Sequence, residues 1–149
     1  MVTLVGTQST FEDAIYSLIE LEYDAAGAYQ LAIDKLENIE YKEKLTSFLN
    51  DHKEHIANLT NYYKKSAIKL PTSGDHTKGV MAKMKVLLGE LTGSDKNILR
   101  AMLSNELDTN SAYERIVNHS AKPDDLSEIL DKAFIDEQAH KIWLDKTIG

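Results

Sequence analysis

Four segments of the chain each carry an apolar stripe stepping by three and four residues, and each stripe is broken near its middle by ionisable side chains. In "STFEDAIYSLIELEYDAAGAYQLAIDKLEN" the stripe runs Phe11, Ile15, Leu18, Ala25, Tyr29, Ala32 and Leu36, and Glu22 fills the gap between Leu18 and Ala25. "YKEKLTSFLNDHKEHIANLTNYYKKS" gives Leu45, Phe48, Leu59 and Tyr62, with His52 and His55 in the gap. "DKNILRAMLSNELDTNSAYERIVNH" gives Leu99, Met102, Thr109, Tyr113 and Ile116 around Glu106. The last segment gives Leu126, Ile129, Ala133, Leu144 and Ile148 around Glu137 and His140. Such spacing belongs to a helix with one buried face. An ionised carboxylate on that face is costly unless it is paired or binds a metal ion. A chain that repeats the arrangement on every long helix has reason to gather these groups in one place.

The spacing also sets them at one height. Glu22 precedes the break near Asn38 by roughly as far as His52 and His55 follow it, so an antiparallel hairpin rising about 1.5 Å per residue brings them level. Glu106 and the Glu137–His140 pair stand at similar distances from a turn near Ala121. The pattern repeats internally: "ExxAxxxY" from Glu22 to Tyr29 echoes "ExxTxxxY" from Glu106 to Tyr113, and "DHKEH" echoes "DEQAH". His55 follows Glu22 by 33 residues and His140 follows Glu106 by 34. Two facing hairpins predict an all-α antiparallel four-helix bundle, with residues 1–149 as one domain. Thr10 is the expected cap of the first helix and Ser94 or Asp95 of the third, and Pro123 is expected to start the last. Between the hairpins, "KLPTSGDHTKG" has loop composition, and an amphipathic stretch from Val80 to Leu91 predicts an extra short helix in a long crossover.

Composition narrows the function. Two prolines and seven glycines leave long stretches free for helices. A net charge of -7 disfavours a nucleic-acid surface and suits a protein that handles cations. There is no cysteine, which removes thiolate chemistry. No segment reaches the length of a membrane span and the N-terminus lacks a basic, apolar leader pattern, so no membrane role is expected and the cytoplasm is the default location.

Helix bundles hold pairs of divalent ions with one Glu from each of two helices and a Glu-x-x-His from each of the other two. Here the set is Glu22, His52, His55, Glu106, Glu137 and His140, three Glu and three His, because His52 stands where the second hairpin has Glu137. Tyr29 and Tyr113 lie one or two turns from Glu22 and Glu106, where they either hydrogen-bond the ligand carboxylates or pack as core residues. Trp143 reads as core packing, and His76 and His119 receive no role. The second reading of the same residues is a non-catalytic bundle whose polar centre is structural, acting in oligomerisation or partner binding.

"ELEYDAAGAY", "NELDTNSAY" and "DEQAHKIWL" resemble the first, third and fourth helices of the ferritin-like superfamily, particularly bacterioferritin and rubrerythrin, over roughly Phe11 to Ile148. The resemblance, which extends to small bacterial ferritin-like proteins, implies a ferritin-like bundle and iron as the cofactor, with dioxygen or peroxide as reactants and ferroxidase or oxidoreductase activity. It assigns Glu22, Glu106, Glu137, His55 and His140 to ligand positions. His52 departs from the pattern, in which a bridging Glu is expected. One fewer negative charge favours a single ion, an asymmetric pair, or zinc in place of iron, with manganese a further alternative. Asp51 or Glu54 is a substitute donor by a small helix rotation. Assembly as a homo-oligomer is compatible with this reading.

Overall fold

The computed structural model describes residues 3–74 and 94–149. The expected short helix from Val80 to Leu91 and His76 lie outside the described residues. Helix α1 (Phe11–Lys35) starts at Thr10, whose hydroxyl accepts from the Asp13 N–H at 3.2 Å. Helix α2 (Ile39–Tyr62) starts at Asn38, whose side chain accepts from the Tyr41 N–H at 3.1 Å. Helix α3 (Asp95–Val117) follows Ser94, which makes no capping bond through its side chain. The Asp95 carboxylate instead accepts from the N–H groups of Glu37 at 3.1 Å and Asn38 at 2.8 Å, tying the α1–α2 turn to the start of α3. Helix α4 (Ser127–Ile148) is preceded by a single 3-10 turn, Asp124–Leu126. Pro123 therefore caps that tighter turn instead of opening α4, and the turn buries Leu126 completely.

These ties fix the direction of each helix. The end of α1 meets the start of α3 through Asp95, so these two run antiparallel. The Tyr62 hydroxyl donates to Asp125, placing the end of α2 at the start of α4. Helices α2 and α3 consequently run parallel. The four-helix bundle expected from the stripes is the architecture observed, with α1 packed on α2 and α3, and α4 on α3 and α2. No strand occurs among the described residues, and none of their helices is long and apolar enough to cross a membrane.

The core lies in two apolar clusters. One, towards the α1–α2 turn, includes Tyr29, Leu36, Leu45, Phe48, Leu99 and Leu144. The other, at the opposite end, includes Phe11, Ile15, Leu18, Leu59, Ile116 and Leu130. The expected stripes need small adjustments. Leu130 is fully buried where Ile129 was expected to be, and Tyr63 is buried where Tyr62 is half-buried. A core-facing stripe spans about 100° or more of a helix, so neighbouring positions compete for it.

Residues 3–10 strap across the outer end of α3. The Arg115 guanidinium donates to the carbonyls of Thr3 and Val5, and the Thr3 N–H donates to Asp108 at 3.2 Å. Gly6 makes this approach feasible: its φ is +93°, and a Cβ there would stand 2.6 Å from the Arg115 Cβ. Gly6→Ala is expected to lower unfolding free energy by about 1–3 kcal/mol through backbone strain and overpacking, measured by urea denaturation.

Candidate metal centre

Between the two apolar clusters sits a layer of ionisable side chains. Glu22 comes from α1, His52 and His55 from α2, Glu106 from α3, and Glu137 and His140 from α4. All six are at most 2% exposed. The i,i+3 spacing of His52 with His55 and of Glu137 with His140 sets each pair on one helix face, and antiparallel pairing turns the two faces toward each other. The structure thus brings together all six residues singled out in the sequence.

His55 Nδ1 lies 2.8 Å from Glu22 Oε2 and 3.4 Å from Glu137 Oε1. His140 Nδ1 lies 3.2 Å from Glu106 Oε1 and 3.6 Å from Glu137 Oε2. His52 stands between these groupings. Its Nδ1 is 2.8 Å from Glu22 Oε1 and 3.2 Å from Glu137 Oε1, while its Nε2 is 3.3 Å from Glu106 Oε1.

A second ring of contacts orients the first. His55 Nε2 meets Asp136 Oδ2 at 2.9 Å, and His140 Nε2 meets Asp51 Oδ2 at 2.8 Å. Each aspartate belongs to the helix opposite its histidine. A carboxylate on the outer ring nitrogen fixes the tautomer and leaves Nδ1 facing inward. Asp51, a substitute ligand in the sequence reading, therefore supports His140 from outside, and Glu54 is exposed beside Lys132 at 3.8 Å.

Tyr29 donates its hydroxyl to Glu106, as one of its two sequence readings held. Tyr113 packs against His55 with ring centroids 5.8 Å apart, and its buried hydroxyl has no hydrogen bond. Phe48 stacks on His140 at 4.1 Å, and Trp143 packs edge-on against Phe48 at 5.7 Å, a packing role. His119 accepts the Ala121 N–H through Nδ1 at 3.1 Å, away from the centre.

Asp51 and Asp136 as histidine partners, and the two residues Thr109 and Asn110, were not assigned from sequence. The Thr109 hydroxyl lies 3.2 Å from Glu106 Oε2 and 3.1 Å from Glu137 Oε2, joining the two carboxylates. The Asn110 amide donates to the backbone carbonyls of Glu106 at 2.8 Å and Glu137 at 3.1 Å. Asn110 also lines a groove on the outer face of α3 and α4 with Leu107, Phe134 and Ile142, so that groove lies behind the centre.

Electrostatics tie the layer together. Burial opposes the charged form of every group, and the neighbours decide the outcome. For Glu22, His52 and His55 outweigh burial and hold the carboxyl down at about 2. For Glu106, His140 and His52 likewise hold it well below the usual carboxylate range. Burial and the charge of Glu106 push Glu137 up to about 7. Against burial, Glu137 and Glu22 raise His55 to about 10, and Glu106 and Glu137 raise His140 to about 9. His52 is raised well above its ordinary value by Glu137 and Glu22 despite complete burial.

The donor set fits divalent metal. Glu22, His52, His55 and Glu137 form one buried group and His52, Glu106, Glu137 and His140 another, with the ligand atoms of each within 4.8 Å of one another. Imidazole with carboxylate suits iron, manganese and zinc. Glu137 Oε1 is buried without a hydrogen bond, although it faces His52 Nδ1 and His55 Nδ1. A buried anionic oxygen left in this way fits a bound cation.

Fold and site define a four-helix bundle with a buried histidine–carboxylate centre. The chain belongs to the family described as a domain of unknown function, DUF2383, whose sequence profile matches residues 10–119. That match takes in α1, α2 and α3 and thus Glu22, His52, His55 and Glu106. No curated protein and no solved structure matches the chain.

The shifts give a signed dependence on pH. His55 and His140 titrate above their ordinary 6.5, so their stabilising contribution is complete below about pH 6.5 and is lost as pH rises through about 9 to 10. Glu137, raised above 4.5, acts in the same direction, its contribution lost as pH rises through about 7. Glu22 acts oppositely, its contribution lost as pH falls below 4.5 through about 2. Chelator-treated protein should therefore melt at a lower temperature at pH 9.5 than at pH 6.5. Calorimetry with saturating Zn(II) should show the reverse trend over that range, because imidazole must be deprotonated to bind metal.

Proposed function

We propose that this protein is a ferritin-like metal protein that binds one or two divalent ions, iron foremost, and uses them to oxidise Fe(II) or to reduce dioxygen or peroxide. Zinc and manganese are the alternative ions. The observation that carries the reading is the pair of buried four-residue groups sharing His52 and Glu137. Bound iron would supply the electrons for dioxygen or peroxide. The chain's own residues would do the rest: Glu22, Glu106 and Glu137 provide negative charge, and His55 and His140 present Nδ1. Asp136 and Asp51 hold those two rings, Thr109 and Tyr29 fix the carboxylates, and the apolar clusters on both sides exclude water. The cytoplasm is the proposed location by default, and assembly as a homo-oligomer is compatible with the reading.

A second reading has its own observation. The three imidazoles and three carboxylates already lie within 3.6 Å of one another, so protonated imidazoles would offset the carboxylates without further ligands. In that reading the centre is structural, and exposed Leu107, Ile135 and Ile142 on α3 and α4 serve partner binding or oligomerisation.

The two readings separate in solution. A ligand that binds only the folded state at 100 times its Kd adds about 2.7 kcal/mol, which for a chain of this size raises Tm by about 5–11 °C. Titration of chelator-treated protein with Fe(II), Mn(II) or Zn(II) should give that rise with at least one ion, and Glu137→Ala should abolish it. An unchanged Tm with all three ions supports the structural centre.

Enzyme and simple binder are separated by a further measurement. Under air, Fe(II) added to the protein should gain Fe(III) absorbance faster than in a protein-free control. Confirmed binding with a rate equal to the control removes the oxidase activity and leaves a metal-binding module.

A further inference from the structure

We infer that His52 is a bridging ligand, binding one divalent ion through each of its two ring nitrogens, so that the centre holds two ions joined by an imidazolate as well as by Glu137. The inference rests on the metal-binding reading proposed above and deepens it. The two buried donor groups share only His52 and Glu137. The His52 ring presents a different nitrogen to each group. Nδ1 faces Glu22 Oε1 at 2.8 Å and Glu137 Oε1 at 3.2 Å, on the side of His55. Nε2 faces Glu106 Oε1 at 3.3 Å, on the side of His140. No other histidine of the layer is placed in this way. His55 and His140 each turn one nitrogen inward and give the other to an outer aspartate, Asp136 and Asp51.

An inward and outward nitrogen suits a terminal ligand, since the outer N–H is held by its carboxylate. Two inward nitrogens suit a ligand shared between ions. Complete burial of His52 removes competition from water at either nitrogen. The Tyr29 ring beside it, with centroids 5.1 Å apart, walls the imidazole on one face. On binding, both ring protons leave to solvent and each nitrogen lone pair is given to one ion, with no change of oxidation state. The bridge also answers the charge left by the missing carboxylate. An imidazolate carries one negative charge, as a bridging Glu would, so His52 restores the anion count while changing the donor from oxygen to nitrogen. Nitrogen donors favour ions such as zinc and copper over the harder ions that carboxylate selects.

The test uses full-length protein labelled with 15N-histidine and loaded with Zn(II), read by side-chain nitrogen NMR and by zinc content after gel filtration. Two zinc ions per chain are expected. One histidine ring should show both nitrogens metal-shifted with no N–H, and two further rings should each show one metal-shifted nitrogen and one N–H. The His52→Gln spectrum should lack the doubly shifted ring. A His52 ring with a retained N–H, or with only one shifted nitrogen, overturns the bridge while leaving the metal site intact. One zinc per chain in wild-type protein does the same. No retained zinc and no shifted nitrogen overturns the bridge, and the metal-binding reading falls with it only where Fe(II) and Mn(II) also leave Tm unchanged. If His52→Gln fails to fold, the wild-type spectrum alone decides, because a doubly shifted ring is either present or not.

Discussion

The mutual neutralisation of three carboxylates and three imidazoles in the middle of the bundle is the constraint on which the other features depend. Each charge is buried, and leaving one unpaired would cost about 3–5 kcal/mol, a large part of the stability of a domain. Every long helix contributes at least one member of the layer. A slide of any helix by one turn would move its charge by about 5.4 Å into one of the apolar clusters. The layer therefore fixes axial register, which apolar packing alone leaves loose because leucine and alanine are interchangeable along a stripe. The contact of Asp95 with Glu37 and Asn38 sets the same register from one end, and that of Tyr62 with Asp125 sets it from the other.

Two similar hairpins generate the layer, and their likeness extends to contacts that cross between them. Asp51 and Asp136 are equivalent in "DHKEH" and "DEQAH", and each holds the histidine of the other motif. The equivalence fails at three points. His52 answers Glu137, Ala25 answers Thr109, and Tyr29 bonds Glu106 while Tyr113 has no hydrogen bond to its hydroxyl. The failures compensate one another. Glu106 and Glu137 on the second hairpin share Thr109 as a neutral donor, whereas Glu22 on the first has His52 and His55 at hand. Where a histidine stands in place of a carboxylate, the hydroxyl on that hairpin's first helix is not needed.

The helices and the six central residues were legible because burial acts on periodic positions. Glu22 or His140 in an apolar stripe is visible without knowledge of what it faces, and the shared height follows from counting residues to a turn. The partners of those residues were not legible for the same reason. Asp51 and Asp136 sit beside the stripe, half-exposed, and ordinary surface aspartates occupy such positions in any helix. Their place was marked only by their recurrence in both motifs. Asn110 works by bonding backbone carbonyls on two helices, which no side-chain pattern announces. Leu130 takes the buried place expected for Ile129 because both positions lie three or four residues from Leu126 and from Ala133, so counting along the stripe does not separate them.

The arrangement also shows how one set of residues can form a folded core and still suit the metal ions proposed for it. As they stand, protons on the imidazoles supply the positive charge that the carboxylates require, and a divalent cation entering the layer replaces positive charge already present. Exchange of one such ion for two protons leaves the buried charge unchanged, so the desolvation cost of bringing a doubly charged ion into the interior is offset in advance. The carboxylate most ready to alter its protonation is Glu137, which burial and Glu106 push up to about 7, and it belongs to both donor groups. Asp51 and Asp136, 33% and 23% exposed, are where the hydrogen-bonded network meets water. By holding Nε2–H on the outside they direct the lone pair of each deprotonated ring inward, so the same contacts that stabilise the imidazolium form also aim Nδ1 at an arriving ion.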